Sequence, residues 1–291
     1  MKCHGEQGYL RLLRDIMELG EDRSDRTGVG TRSIFGSGLI FDLAEGFPLL
    51  TTKKMDLKSV ASELLWFVEG SDSERRLAEI RFGKPREEIP HLNTIWAENM
   101  RAPYWIDKQQ FDGDLGRVYG VQWRHWTNRH GVETDQLAVL IDGLKNDPAG
   151  RRHLLHNWNP GELDEMALPA CHVLSQYYVT NDGRLNCQWY QRSCDTFLGV
   201  PYNIASYALL THILAAVCNL TPGHLHFCGG DVHIYKNHFD AVEELLTREP
   251  LPPPTLSVRR GPQKTIDQFV LDDFILSNYN PHPAISASMA V

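Results

Sequence analysis

Apolar positions recur along the chain with two periods, and each change of period marks an element. In residues 9–19, Tyr9, Leu10, Leu13, Ile16 and Met17 fall on one face at helical spacing, and Gly20 is a natural stop. Residues 56–69 repeat the arrangement: Asp56 caps, Val60, Leu64, Leu65 and Val68 form the stripe, and Gly70 ends it. A third helix is predicted from about Asp135 to Lys145, closed by Asn146-Asp147-Pro148. Ser33 to Leu43 reads as a pair of strands broken near Gly36 and Gly38. The clearest hairpin joins His172–Thr180 to Arg184–Arg192, both rich in Val, Tyr, Trp and Leu, through Asn181-Asp182-Gly183. Pro201 then opens a helix that is apolar on all sides to about Asn219. Because it contains Ser206, Thr211 and His212, it reads as a buried helix rather than a membrane span. A strand around His224–Phe227, a break at Gly229-Gly230 and a helix near Ala241–Leu246 follow, and Pro252-Pro253-Pro254 reads as a surface connection. With no internal repeat and no long linker, a single α+β domain over residues 1–291 is expected.

Composition excludes some classes. At 42% hydrophobic and 23% charged residues the chain is neither collagenous, low-complexity nor a disulfide mini-scaffold. Its 29 Lys and Arg against 37 Asp and Glu give a formal charge of −8, which argues against a surface that coats nucleic acid. That balance still allows a small anion gripped by a few arginines. Six cysteines occur without a Cys-x-x-Cys, so neither a metal nor a disulfide framework is expected. The start of the chain lacks the apolar run of a signal peptide, and a reducing, cytoplasmic setting without membrane contact is the expectation.

Several residues could carry chemistry. Arg26 sits in a glycine-containing loop, Arg151 and Arg152 follow Pro148-Ala149-Gly150, and Arg192 ends the hairpin beside Ser193. Four guanidiniums and a hydroxyl suit a phosphate, although each arginine alone also fits solvated loop charge. Cys171-His172 invites a thiolate–imidazole pair, but neighbours on one strand point to opposite faces. A thiol activated there would need nearby arginines, and a structural cysteine is the plainer reading. Glu63 lies on or beside an apolar stripe, where burial would raise its pKa into acid–base range, unless it is on the wet edge. Asn203 either caps the buried helix or reads an amide-like ligand edge. His233 and Tyr235, two apart on a strand, could share one hydroxyl or belong to the core.

Longer motifs bind these residues together: Asp25-Arg-Thr-Gly-Val-Gly-Thr31, Gly46-Phe-Pro-Leu-Leu-Thr-Thr-Lys-Lys54, Glu63-Leu-Leu-Trp-Phe67, Gly113-Asp-Leu-Gly-Arg-Val-Tyr-Gly120, Met166 to His172, Gln191-Arg-Ser-Cys-Asp-Thr-Phe-Leu-Gly-Val-Pro-Tyr-Asn-Ile-Ala-Ser-Tyr207 and Gly229-Gly-Asp-Val-His-Ile-Tyr235. In this order, from about Tyr9 to Val291, the chain resembles thymidylate synthase. The stretch between Ser71 and Gly113 and the ending from Pro281 look more like phage-encoded members, for which the setting would be the host cytoplasm. The resemblance implies a homodimer formed through a bent, mainly mixed β-sheet packed by helices. It implies a reaction of dUMP with 5,10-methylenetetrahydrofolate that yields dTMP and dihydrofolate. By motif, Cys171 is the nucleophile toward C6 of the pyrimidine. Arg26, Arg192 and Ser193, next to Gln191, would bind phosphate, with Arg151 and Arg152 reaching in from the partner. His233 and Tyr235 would hold the sugar 3′-hydroxyl, and Asn203 the N3 and O4 edge of uracil. Glu63 would move protons through ordered water, supported by Tyr119 and His172. Lys53, Trp96, Asp195 and Val291 would contact folate. The arginines would bind phosphate and also lower the thiol pKa.

Some positions depart from the family's usual pattern. Arg117 stands where proline is usual before Val118-Tyr119, and Ala170 replaces the proline before the nucleophile. Ala97 stands for aspartate, His156-Asn157 for a Ser/Thr-Ala pair, and Ser175 for a bulkier residue. None removes a catalytic group. The polar replacements open a hydroxymethylase alternative, in which water completes the one-carbon transfer and gives 5-hydroxymethyl-dUMP and tetrahydrofolate. A retired homologue with an RNA-binding or structural role is a further reading, opposed by the acidic balance and the full set of reactive groups.

Overall fold

The computed structural model describes residues 3–259 and 264–288, with Cys3 described by its backbone. Val291, expected to contact folate, lies outside the described residues. In chain order the elements are β1 (Cys3–His4), α1 (Gly5–Leu19), β2 (Glu21–Arg23), β3 (Thr31–Asp42), α2 (Leu57–Glu69), α3 (Glu74–Phe82), α4 (Ala97–Met100), α5 (Pro103–Ile106), α6 (Tyr119–Arg124), β4 (Trp126–Thr127), β5 (Glu133–Thr134), α7 (Gln136–Asn146), β6 (Leu154–His156), β7 (His172–Val179), β8 (Arg184–Asp195), α8 (Gly199–Cys218), β9 (Thr221–Tyr235), α9 (Phe239–Leu246), β10 (Thr255–Val258) and β11 (Phe274–Ser277).

The capped helices form where their signals lie. Asp56 accepts the Lys58 amide at the start of α2, and Gly70 leaves that helix in the left-handed region. Asp135 does the same for α7 by accepting the Ala138 amide. α8 is apolar on every side because it is surrounded: Ile204, Leu209, Leu210, Ile213 and Leu214 are all fully buried. Each such side chain contributes about 2 kcal/mol by leaving water. The helix is long and apolar enough to cross a bilayer, yet most of it is buried inside the protein.

A seven-stranded sheet organises the domain in the order β1-β3-β9-β8-β7-β6, with β2 on β3. Pairing is antiparallel for β3–β9, β7–β8 and β6–β7 but parallel for β8–β9, so the sheet is mixed. The parallel pair requires a crossover, and α8 supplies it, packing on both strands. Register shifts between His172 and Leu174 and between Leu185 and Cys187 mark irregularities that bend the strands. Along β8, Leu185, Cys187, Trp189 and Gln191 point into the core, while Gln188 and Tyr190 point out. Tyr178 on the same outer face is 62% exposed. α2 lies on α8 and α6 on α2. Gly120 permits the second contact, since a Cβ there would sit 2.5 Å from the Phe67 carbonyl oxygen.

Three expectations are corrected. β3 is one continuous strand rather than a pair broken at Gly36 and Gly38, and it keeps a single register with β9 from Thr31 to Asp42, with Gly36, at φ 81°, left out of the pairing. β9 likewise runs through Gly229-Gly230. Those glycines serve close packing, because a Cβ on Gly229 would meet Val232 at 2.6 Å and one on Gly230 the Tyr190 hydroxyl at 2.7 Å. The triproline is not wholly a surface connection: Pro254 is buried and its carbonyl accepts the Phe47 amide at 2.8 Å.

Candidate active site

Cys171 lies just before β7, at the bend where the chain enters the sheet, and remains partly accessible. Its backbone is held from two sides. The amide donates to the Tyr119 hydroxyl at 2.7 Å, and the carbonyl accepts the Arg192 amide at 2.9 Å. Arg192 also wraps the approach to the cysteine, with Nε on the Ala170 carbonyl and Nη2 on the Pro169 carbonyl, each at 2.9 Å. The ring of Trp158 lies 5.0 Å beneath its guanidinium. Two of its donor nitrogens therefore shape the loop, leaving Nη1 for a ligand.

Burial pushes the Cys171 thiol above its ordinary range, and Arg192, the Tyr119 hydroxyl and Arg26 pull it back down. The arginines act in the expected direction, but burial outweighs them. The other described thiols are pushed up as well, Cys187 to about 12 and Cys218 to about 11, each by burial.

His172 does not pair with the thiol. It is buried against Tyr119 and Tyr207, with ring centroids 4.9 and 5.4 Å away. Burial lowers its pKa to about 4, a hydrogen bond to the Asn203 side chain opposes that shift, and the ring is neutral near pH 7. Asn203 lies inside α8, whose cap position is Leu198, so it reaches His172 rather than capping the helix.

Glu63 faces the same wall. Its Oε1 accepts from Trp96 Nε1 at 2.7 Å, and burial raises the carboxyl to about 7 despite that bond. Trp96 packs edge-on to Tyr119 at 5.9 Å. A protonatable carboxyl, an indole, a tyrosine and the nucleophile thus form one connected surface. Burial drives Tyr119 well above 10, so it keeps its proton.

The sheet supplies the next group of residues. His233 and Tyr235 share a face of β9, with ring centroids 5.2 Å apart, and His233 Nδ1 lies 3.2 Å from Asp231 Oδ1. Across the parallel pair, Ser193 is opposite Asp231 and Asp195 is opposite His233. Gln191 is buried and donates to the Ser193 carbonyl at 3.0 Å. Asp195 Oδ1 accepts the Phe197 and Leu198 amides at 3.2 and 3.1 Å, and its Oδ2 has no hydrogen-bond partner among the described residues. Lys53 is buried, its ammonium donating to the Phe197 carbonyl and lying 3.9 Å over the Phe197 ring. Burial lowers it to about 8, against the pull of Asp195.

Arg26 extends from a loop built around Asp25, whose carboxylate accepts the amides of Thr27 and Gly30 and the Thr27 hydroxyl. Its field reaches both Cys171 and Tyr235, which puts it at this site. Arg151 and Arg152 stand apart: both are exposed, and neither guanidinium makes a hydrogen bond or ion pair among the described residues.

Sequence reasoning missed Trp158, Asp231 and the carbonyls of Pro169 and Ala170, which act through Arg192 and His233. Trp158 gave no signal of its own in the sequence; it matters as the face on which the Arg192 guanidinium stacks. A family model described as thymidylate synthase matches residues 7–291.

Proposed function

The chain belongs to the thymidylate synthase family, whose members use methylenetetrahydrofolate to methylate dUMP, and from that premise we propose that it converts dUMP to dTMP through a covalent Cys171 adduct. The observation that carries this reading is the convergence on one accessible thiol of Arg192, Arg26 and Tyr119, with Glu63 protonatable on the same wall.

In this reading Arg26 and Arg192 take the phosphate, with Ser193 offering a hydroxyl. His233 and Tyr235 hold the sugar hydroxyl. Cys171 Sγ adds to C6, and the electron pair of the C5–C6 double bond moves to C5, which becomes the carbon nucleophile. The thiol is protonated at rest, so its proton passes to water as Sγ attacks, and Arg192, Tyr119 and Arg26 favour the thiolate that forms. Once C5 carries the one-carbon unit, its proton must leave, and Glu63 takes it through an ordered water. The electron pair left at C5 expels the folate amine from the one-carbon unit, and hydride addition to the resulting exocyclic carbon drives a pair back into C5–C6, which expels Cys171 as thiolate and restores the double bond. The folate, when bound, supplies the one-carbon unit and, for a methyl product, a hydride. Asp195 Oδ2 suits the N–H edge of a fused heteroaromatic ring.

We further propose a homodimer through the outer face of the sheet. The exposed Tyr178 and Tyr190 favour it, as do the exposed Arg151 and Arg152, unpartnered among the described residues, which would complete the partner's phosphate site. A reducing, cytoplasmic location agrees with the need to keep Cys171 free.

The test is intact mass. A covalent ternary complex should form with 5-fluoro-dUMP and methylenetetrahydrofolate, and its absence would sink the adduct. Product analysis addresses the alternative. Dihydrofolate with a methylated nucleotide supports methylation, whereas tetrahydrofolate with 5-hydroxymethyl-dUMP refutes it.

Base choice offers another check. In this reading the Asn203 amide, hydrogen-bonded to neutral His172, offers its remaining edge to the base. Asn203→Asp should move the dUMP-to-dCMP ratio of kcat/KM toward dCMP by about 100-fold, because a carboxyl presents different partners to N3 and position 4. Unchanged discrimination would assign the edge to another residue.

A further inference from the structure

Two residues before Tyr119, Arg117 makes bonds that the proposed chemistry does not use. Its Nε donates to Glu162 Oε2 at 2.6 Å, and the same oxygen accepts Gln122 Nε2 at 2.7 Å. Arg117 Nη2 donates to the His125 carbonyl at 2.6 Å, and its amide to the Glu165 carbonyl at 2.9 Å. One guanidinium and one carboxylate therefore tie both ends and the middle of α6 to a single strap of chain. That strap leads into the nucleophile. Ala167 donates to the Leu115 carbonyl at 3.0 Å, Gly116 bridges Met166, and Pro169-Ala170-Cys171 follow. The ion pair is sheltered, with side-chain exposures of 22% and 16%, so water screens it less than a surface pair. α6 has no side-chain cap at Val118, and these bonds anchor its first turn instead.

The first residue of that helix is Tyr119, whose hydroxyl accepts the Cys171 amide at 2.7 Å and lies within reach of the sulfur. A hydroxyl with two duties tolerates little displacement, since hydrogen bonds weaken steeply with misalignment. We propose that Arg117, through Glu162, is a positioning residue that sets the seat of α6 and so holds the Tyr119 hydroxyl on Cys171. The arginine standing where proline is usual adds a side-chain clamp that proline lacks. The inference rests on the reading of Cys171 as nucleophile.

Arg117→Met removes the guanidinium but keeps the stem and the amide bond to Glu165. It should lower kcat about ten-fold while KM for dUMP stays within about two-fold. It should also move iodoacetamide labelling of Cys171, resolved by peptide mass, to higher pH, because a loosened Tyr119 stabilises the thiolate less. Glu162→Gln should reproduce both effects. Arg117→Lys should recover part of the rate, restoring the charge without the fork. A lower melting temperature with kcat and the labelling curve unchanged would reduce Arg117 to a structural role and overturn the inference. A raised KM with kcat intact would overturn it too. Labelling does not depend on turnover, which separates the two failures. No ternary complex in the unmodified protein strikes the functional reading, whereas an unchanged labelling curve in Arg117→Met strikes this inference alone.

Discussion

Cys171→Ala should abolish turnover, by at least about 10⁴-fold, and with it the covalent complex, while leaving dUMP binding nearly intact. The reason lies in how the cysteine is held. Tyr119 and Arg192 grip its backbone amide and carbonyl, so both contacts survive loss of the sulfur. Arg192 remains fixed by the carbonyls of Pro169 and Ala170. Removing one partly accessible sulfur costs on the order of 1 kcal/mol, which is within the range of ordinary substitutions. Turnover, intact mass and dUMP titration by calorimetry together make the check. A stable adduct in the alanine variant would end the assignment. A collapse of dUMP affinity would show that the thiol has a larger part in ground-state binding than this geometry allows.

The second large effect belongs to Glu63. Glu63→Gln should lower kcat by about 10²–10⁴-fold and erase a limb near pH 7 from the kcat profile. Its carboxyl is raised from 4.5 to about 7 because desolvation outweighs the Trp96 hydrogen bond. It is thus poised to change protonation at neutral pH. The same shift has a thermodynamic sign. Below pH 4.5 the group is protonated folded or unfolded, and its contribution to stability is fully present. As pH rises toward 7 the unfolded chain ionises first, so that contribution is lost, on the order of 3 kcal/mol in all. The glutamine variant lacks this slope. Relative to the unmodified protein it should therefore gain stability between about pH 4.5 and 7 in urea melts. Parallel stability curves for the two proteins would mean that Glu63 is not desolvated as described.

Both residues were marked in the chain by long motifs, and the upward shift of Glu63 was legible as well, because a carboxyl beside an apolar stripe is desolvated. Local signals did well where the cause is local. Asp56, Gly70 and Asp135 bound their helices as expected, because a cap depends on a few neighbouring atoms. β9 was misread as broken, because Gly229 and Gly230 look like punctuation in a sequence and act as clearance under Val232 and Tyr190. Clearance is a tertiary property. The thiol followed the same rule: arginines nearby could be anticipated, but the burial that outweighs them depends on the whole fold. Trp158 and Asp231 carry no pattern of their own and become meaningful only once Arg192 and His233 are in place.

The parallel pairing of β8 with β9 acts as a ruler. Ser193 and Asp195 stand opposite Asp231 and His233, and neighbouring strands are separated by about 4.8 Å in any sheet. In the proposed reading, the spacing between phosphate and sugar contacts is thus built from backbone hydrogen bonds. No loop has to close to measure it. In the same reading Arg26, carried on the loop that the Asp25 carboxylate holds together, reaches the anion from outside the sheet, while the distance from anion to sugar is set by the sheet.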